Sequence, residues 1–349
     1  MRQETFPQSG PDIATVLELR DSSCARDLYI AAVSWLDLFT TLDEQPRNLR
    51  SLCAAFELEE RPTRTMLRLF ESWNLLVRSD DEYCVTPQAR RYLSRRSDEN
   101  VVSYIATMKY KSSVREMHEI LREGQSDTWH VQRTGTTSWD DLMQTDDFAN
   151  LNTQGMEERG RIFAPSLADL LDCSTDRQLL DIGGGSGVYA AHLLMRFPSL
   201  EATILERPPV DELARACLKQ RGLLGNRASV VAGDMFVDPF PESASLHLYS
   251  HVLHNWSPEK VQRLVCKSYQ YLPDGGRVAV YSCHPDDRNG RPAPAKEAEY
   301  SVLLTASYEG LCYSVSDMED MFAKAGFADV DYRRSICNRS LLTASKRAS

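Results

Sequence analysis

Leu179-Leu180-Asp181-Ile182-Gly183-Gly184-Gly185-Ser186-Gly187 is the stretch whose reading decides the fold. An apolar run of strand composition passes into four glycines within five residues, and a helical pattern follows. Glycines at such a strand-to-helix turn permit positive φ and let a ligand approach the backbone at a helix N-terminus. A dinucleotide-binding G-x-G-x-x-G loop counted from Gly183 and Gly185 would need glycine where Val188 stands. No Gly-Lys-Ser/Thr follows either, which excludes a phosphate-binding P-loop.

Outward from this loop the apolar period is that of buried strands. Ala202–Leu205, Ala228–Val231, Leu246–Tyr249 and Val278–Tyr281 are short apolar runs with helical patterns between them. Such alternation predicts a mostly parallel sheet covered on both faces. Two further strands are expected over Ala328–Ile336 and Leu341–Ser345, after a helix at about Val315–Ala325. That makes an α/β domain with a seven-stranded sheet.

The N-terminal part reads differently. An apolar helix is expected from Leu28 to Phe39, then helices over Leu49–Phe56 and Pro62–Trp73, then a hairpin of Leu75–Arg78 and Tyr83–Pro87. That order predicts a winged helix. Arg61, Arg64 and Arg68 lie on its third helix, which raises a DNA-binding reading, yet residues 1–110 hold fourteen Lys and Arg against seventeen Asp and Glu. DNA affinity rests on phosphate neutralisation, so packing, and the pairing of two chains through the apolar helix Leu28–Phe39, is the better expectation. A polar helical connector broken by turns at Gly124–Ser138 is expected over 111–160, so the domains are read as 1–110, 111–160 and 161–349.

Composition agrees with a globular chain: 349 residues, 42% apolar, 26% charged, net charge −10. The negative balance argues against nucleic acid and acidic lipid surfaces as partners. Nine scattered cysteines without a C-x-x-C pair suggest reduced thiols in a cytoplasm. No apolar run of about eighteen residues and no signal-like N-terminus is present, so neither secretion nor a membrane span is expected.

Three features suggest a nucleoside: the glycine loop after the first strand, Glu206, twenty-five residues after Asp181 at the end of the second strand and placed to accept from both ribose hydroxyls, and Gly233-Asp234-Met235-Phe236 after the third, which offers a carboxylate and a thioether to a purine. No cluster of metal ligands is evident, and no metal is expected.

In this order the motifs resemble the S-adenosylmethionine-dependent small-molecule O-methyltransferases of the two-domain type, over nearly the whole chain. D-x-G-G-G-x-G, G-D-M-F, Leu253-His254-Asn255-Trp256 and the wing Val85-Thr86-Pro87 carry the likeness. The resemblance implies a Rossmann-like class I methyltransferase domain with a winged-helix dimerisation domain. It implies S-adenosyl-L-methionine held by Asp181, Gly183, Gly185, Glu206, Asp234, Met235 and Ser250. An aromatic small molecule is the implied acceptor, in natural-product biosynthesis, with His254 as its general base. Met156 aligns with a substrate-contacting methionine, and His251 reads as packing beside the base. Where relatives carry acids around the histidine, this chain has Asn255, Ser282 and Cys312, with Glu309 near enough to substitute. C-methylation of an electron-rich ring or enol, and a DNA-binding metabolite sensor, are the alternatives.

Overall fold

Residues 12–125, 143, 145–242 and 244–347 are described by the structure, a computed structural model. They fall into two compact units, one reaching Gln125 and taking in Pro292–Ser307, the other made of the residues up to Arg291 and from Tyr308 onward. The connector expected over 111–160 is divided between them: helix Ser112–Glu123 buries Val114, Met117, Ile120 and Leu121 in the first unit's core, whereas helix Asp146–Leu170 belongs to the second. Of the expected turn-rich break, all beyond Gln125 lies outside the described residues.

In the first unit helix Ile13–Asp21 is capped by Asp12, whose carboxylate accepts from the Thr15 N–H at 2.9 Å. The single apolar helix expected from Leu28 to Phe39 is two helices, Ala25–Ser34 and Leu38–Glu44. Asp37 between them has φ +46°, a left-handed residue that stops one helix and turns the chain into the next. The apolar side chains of both pack into this unit's own core, Leu28, Val33, Phe39 and Leu42 among them. The surplus that suggested a partner is therefore absorbed by the helix Ser112–Glu123 and by Ala298 and Val302 of helix Ala295–Ser307. Helices Leu49–Phe56 and Glu60–Ser72 follow, then the antiparallel pair β1 (Leu76–Ser79) and β2 (Glu82–Val85) with Leu76 opposite Val85. Thr86 caps helix Pro87–Leu93 by accepting from the Ala89 N–H at 3.2 Å, and helix Val102–Ala106 comes next. Arg61, offered above to DNA, is half-buried and donates to the carbonyls of Thr305 (3.1 Å) and Gly124, while Arg64 pairs with Glu60.

The second unit is a seven-stranded sheet: β3 (Gln178–Ile182), β4 (Glu201–Glu206), β5 (Ala228–Ala232), β6 (Leu246–Ser250), β7 (Arg277–Ser282), β8 (Ala328–Arg334) and β9 (Ser340–Ser345). Their order is β5-β4-β3-β6-β7-β9-β8, with the first five parallel and β9 antiparallel to both neighbours. Every residue of β6 is buried, as two covered faces require. β8 stops short of the expected Ile336 because Cys337 and Asn338 take positive φ and turn the chain back, closed by the Ser335 N–H on the Arg339 carbonyl at 2.8 Å. From β3 the chain first builds outward through β4 and β5, then returns to place β6 on β3's other side. Beyond the carboxyl ends of β3 and β6 lies the crevice in which open α/β sheets bind their ligands.

Candidate active site

Gly183 continues β3 by donating its N–H to the Leu205 carbonyl at 2.8 Å, and the loop then turns at Gly185 with φ +57°. A Cβ at Gly185 would meet nothing within 4 Å, so this backbone faces open space. A Cβ at Gly184 would stand 2.7 Å from the Asp181 carboxyl, which is why that position has none. Asp181 is wholly buried beneath the loop, and burial, followed by the nearby Glu206, pushes its pKa up to about 7. It lies beneath the loop, both carboxyl oxygens buried without a hydrogen-bond partner, and is not among the residues in the wall of the cavity outside.

That cavity, of about 500 Å³, lies at the carboxyl ends of β4 and β5, with Glu206, Arg207, Gly233, Asp234 and Asp238 in its wall. Glu206 accepts from the Gly185 N–H at 2.9 Å with one oxygen and from the Arg207 N–H at 2.9 Å with the other. Burial raises its pKa, the two backbone donors opposing the shift. Asp234 accepts from the Phe236 N–H at 2.7 Å and lies 3.8 Å from the Arg207 guanidinium. The Met235 sulfur hangs over the loop, 3.8 Å from where a Gly183 side chain would begin. Ser250, the last residue of β6, is buried with its hydroxyl unpaired. A buried carboxylate beside a bare glycine backbone, a cavity at the strand ends and an orphaned hydroxyl are groups that a nucleoside sulfonium could use, so the residues fit the expected cofactor.

His254 lies in a 3-10 turn, Leu253–Asn255, directly after β6. Its Nδ1 is 2.7 Å from the Ser282 hydroxyl at the end of β7. Burial first, then the positive charges of Arg159 and Arg339 and the neighbouring His284, hold its pKa well below the ordinary imidazole value, so the ring is neutral. Gly310 packs against the His254 carbonyl so closely that no Cβ fits there. Glu309, expected to stand in for a missing acid, instead pairs with Lys260 at 2.8 Å and is nearly half exposed. Cys312 is buried, and the Asn255 amide oxygen is buried without a partner. Of the three altered positions, Ser282 is in hydrogen-bond contact with the imidazole.

Sequence reading missed Glu157. It sits one residue after Met156 on helix Asp146–Leu170, is buried, accepts from the Ser186 hydroxyl in the glycine loop and pairs with Arg161 (2.9 Å) and Arg221. Gly160, on the same helix, lies so tight on Val188 that no Cβ fits. The pair Glu157 and Gly160, three residues apart and thus on one helical face, was the available signal. Together they clamp the loop and the helix that leaves it.

An O-methyltransferase domain model matches residues 114–328. The chain belongs to the O-methyltransferase family. It is 28% identical to the L-tyrosine C(3)-methyltransferase of Streptomyces lavendulae, over 88% of this chain and 84% of that one. It is 29% identical to the tetracenomycin polyketide synthesis 8-O-methyltransferase TcmO of Streptomyces glaucescens, over 90% and 91%. Among solved structures, an O-methyltransferase family 2 protein from Planctomyces limnophilus, in complex with apigenin, superposes with a TM-score of 0.86 at 30% identity, over 98% and 97%. The chain is thus a methyltransferase dependent on S-adenosylmethionine.

Proposed function

We propose that this methyltransferase acts on a hydroxyl of an aromatic small molecule in natural-product biosynthesis, with His254 as the general base. Bound at the glycine loop, S-adenosylmethionine supplies a methyl already made electrophilic by its sulfonium. The Gly185 backbone, Glu206, Asp234, Met235 and Ser250 hold and orient it. Asp181 maintains the loop.

What remains for the protein is to align an oxygen and take its proton. A phenol with pKa of about 10 is a weak nucleophile at neutral pH. The single observation that carries the reading is a neutral imidazole at the end of β6, its Nδ1 fixed by the Ser282 hydroxyl. With Nδ1–H donating to Ser282, Nε2 keeps the lone pair and receives the acceptor's proton as the oxygen attacks. Labelled S-adenosylmethionine, offered with a panel of phenols, should yield methyl ethers. A label lodged on ring carbon would favour C-methylation, the reaction named for the tyrosine-modifying relative.

Two assignments go with this reading. The chain works as a homodimer, supported by exposed apolar residues in the first unit: Leu19 at 72%, Tyr104 at 80% and Tyr110 at 70%. A cytoplasmic setting is supported by nine free cysteines and, among the described residues, by no helix long and apolar enough to cross a membrane. The reading gives nucleic acid no part, which is supported by the engagement of Arg61 and Arg64 within their own unit. Equilibrium sedimentation at micromolar concentration tests the dimer, which a monomer of 39.5 kDa would refute.

A further inference from the structure

Glu157 on helix Asp146–Leu170 is only 6% exposed, yet it keeps its charge. Burial works against ionisation, but the Ser186 hydroxyl, Arg161 and Arg221 overcome it and hold the pKa below the ordinary value. Its two oxygens are divided between two tasks. Oε1 accepts from Arg161, one turn along the same helix, at 2.9 Å, and from Arg221 at the end of helix Val210–Gln220. Arg221 also donates to the Cys217 carbonyl of its own helix at 3.2 Å. The ion pairs that join the two helices thus use Oε1 alone. Oε2 accepts from the Ser186 hydroxyl and is spent on the glycine loop.

Between Gly183 and Gly187 the loop has one side chain, that of Ser186. Its neighbours Gly185 and Gly187 take φ of +57° and +74°, and the Gly187 N–H closes the turn on the Gly184 carbonyl at 2.9 Å. Glycine loses more conformational freedom than any other residue when it is fixed. A ligand that had to order such a backbone on arrival would bind more weakly by that entropy. From β4, Glu206 accepts from the Gly185 N–H at 2.9 Å, but this carboxylate also lies in the cavity wall and is the group expected to receive the ribose hydroxyls. Glu157 is not in that wall, and the hydroxyl it holds is 2% exposed. Its grip on the loop is therefore independent of whether the cavity is filled.

We propose that Glu157 is a positioning residue for the cofactor: through the Ser186 hydroxyl it sets the glycine loop in its binding shape before the cofactor arrives. This rests on the glycine loop as the seat of S-adenosylmethionine. In this role Glu157 makes no contact with the cofactor, and its effect falls on affinity, by sparing the ligand the work of ordering the loop.

The test is titration calorimetry of S-adenosylhomocysteine on the full chain, with hydrogen exchange read at the loop amides. Ser186→Ala should weaken the ligand about tenfold, through loss of a hydrogen bond to a charged group. Without ligand, the Gly187 amide of that variant should exchange faster than in the wild type, and saturating S-adenosylhomocysteine should restore its protection. A general loss of stability would instead speed exchange throughout the sheet. Glu157→Met, which keeps the length of the side chain but accepts nothing, should also weaken the ligand. Adding Ser186→Ala to it should cost nothing more, because both changes remove the same bond. Should Glu157→Met fail to fold once two arginines lose their counter-ion, Ser186→Ala and its exchange pattern carry the test alone. An affinity of Ser186→Ala within about twofold of wild type, or losses that add in the double variant, overturns the proposal. Faster exchange that is not confined to the loop does so too. Failure of the loop as the cofactor's seat is read separately: Glu206→Ala and Ser186→Ala would then both leave affinity unchanged, whereas a loss in Glu206→Ala alone keeps the seat and removes the positioning role.

Discussion

The Nδ1 of His254 stands 2.7 Å from the Ser282 hydroxyl, and this pair takes the place of an imidazole oriented by a carboxylate. A hydroxyl fixes the ring's direction as an acid does, but it can donate as well as accept, so it does not by itself set the tautomer, and it adds no negative charge to hold a proton on the ring. The base therefore works from a depressed pKa, and proton transfer falls late, when the acceptor oxygen is already surrendering its proton. Ser282→Ala should lower kcat by about three- to tenfold, the worth of one neutral hydrogen bond, with cofactor affinity unchanged. Ser282→Asp should raise the histidine pKa and move the acidic limb of the kcat profile to higher pH. An unmoved limb in the aspartate variant would show that Ser282 does not govern the ring's protonation.

His254 itself should be dispensable for cofactor binding, because the glycine loop, Glu206 and Asp234 do not touch it. His254→Ala should cut turnover by about 10²–10⁴-fold. The deficit should shrink as pH rises towards the phenol's own pKa, where solvent supplies the phenolate. Single-turnover rates measured from pH 7 to 10 decide this: a deficit that stays constant with pH removes the histidine from proton transfer.

Glu206 bridges the loop and the cavity, accepting from Gly185 while facing the space beyond β4. Glu206→Ala should weaken S-adenosylhomocysteine by about ten- to a hundredfold through lost charged hydrogen bonds. Titration calorimetry reads this directly, and equal affinity in the variant would place the ribose elsewhere.

Most of the sheet was legible because parallel strands buried on both faces are nearly pure apolar runs, and all seven appear within two residues of their expected ends. The glycine loop and its following acids were legible because their spacing is chemical. The break at Asp37 was not, since Trp35, Leu36, Leu38 and Phe39 keep helical spacing through it, and only the positive φ reveals the turn. Nor could sequence separate Glu309 from Ser282 as the neighbour of His254. Adjacent residues on a loop point in different directions, and Lys260 takes Glu309 to the surface.

Gly310 and Gly160 predict opposite consequences from the same kind of substitution. At Gly310 a methyl group collides with the His254 backbone, so Gly310→Ala should depress kcat more than cofactor affinity. At Gly160 it collides with Val188, at the start of the helix that leaves the glycine loop, so Gly160→Ala should weaken the cofactor and cost about 1–3 kcal/mol of stability. Kinetics and calorimetry on the two variants together check the assignment, which fails if both move the same constant.

Acid should unfold the protein steeply, and the sign follows from its buried groups. Four imidazoles have folded pKa values held down by burial: His247 to about 3, His284 to about 4, and His251 and His254 well below the ordinary value. Between pH 6 and 5 each is protonated in the unfolded chain, at a pKa of about 6.5, and neutral in the folded one. Each therefore contributes stability that is lost as pH falls. Asp181 and Glu206 act in reverse, because their raised pKa values let the folded state bind protons that the unfolded state has released. The lowered imidazoles outnumber the two raised carboxyls, so the balance favours proton uptake by the unfolded chain. His118 and His192, both lowered by partial burial, add to the same side. The urea midpoint should thus fall sharply between pH 6 and 5. His247→Leu, which replaces an imidazole buried between β6 and Ser268 and remote from any proposed contact, should flatten that slope by about 1.4 kcal/mol per pH unit. A midpoint that holds steady across this window would mean that the four rings are not buried as neutral groups, and with them would go the neutral base on which the mechanism depends.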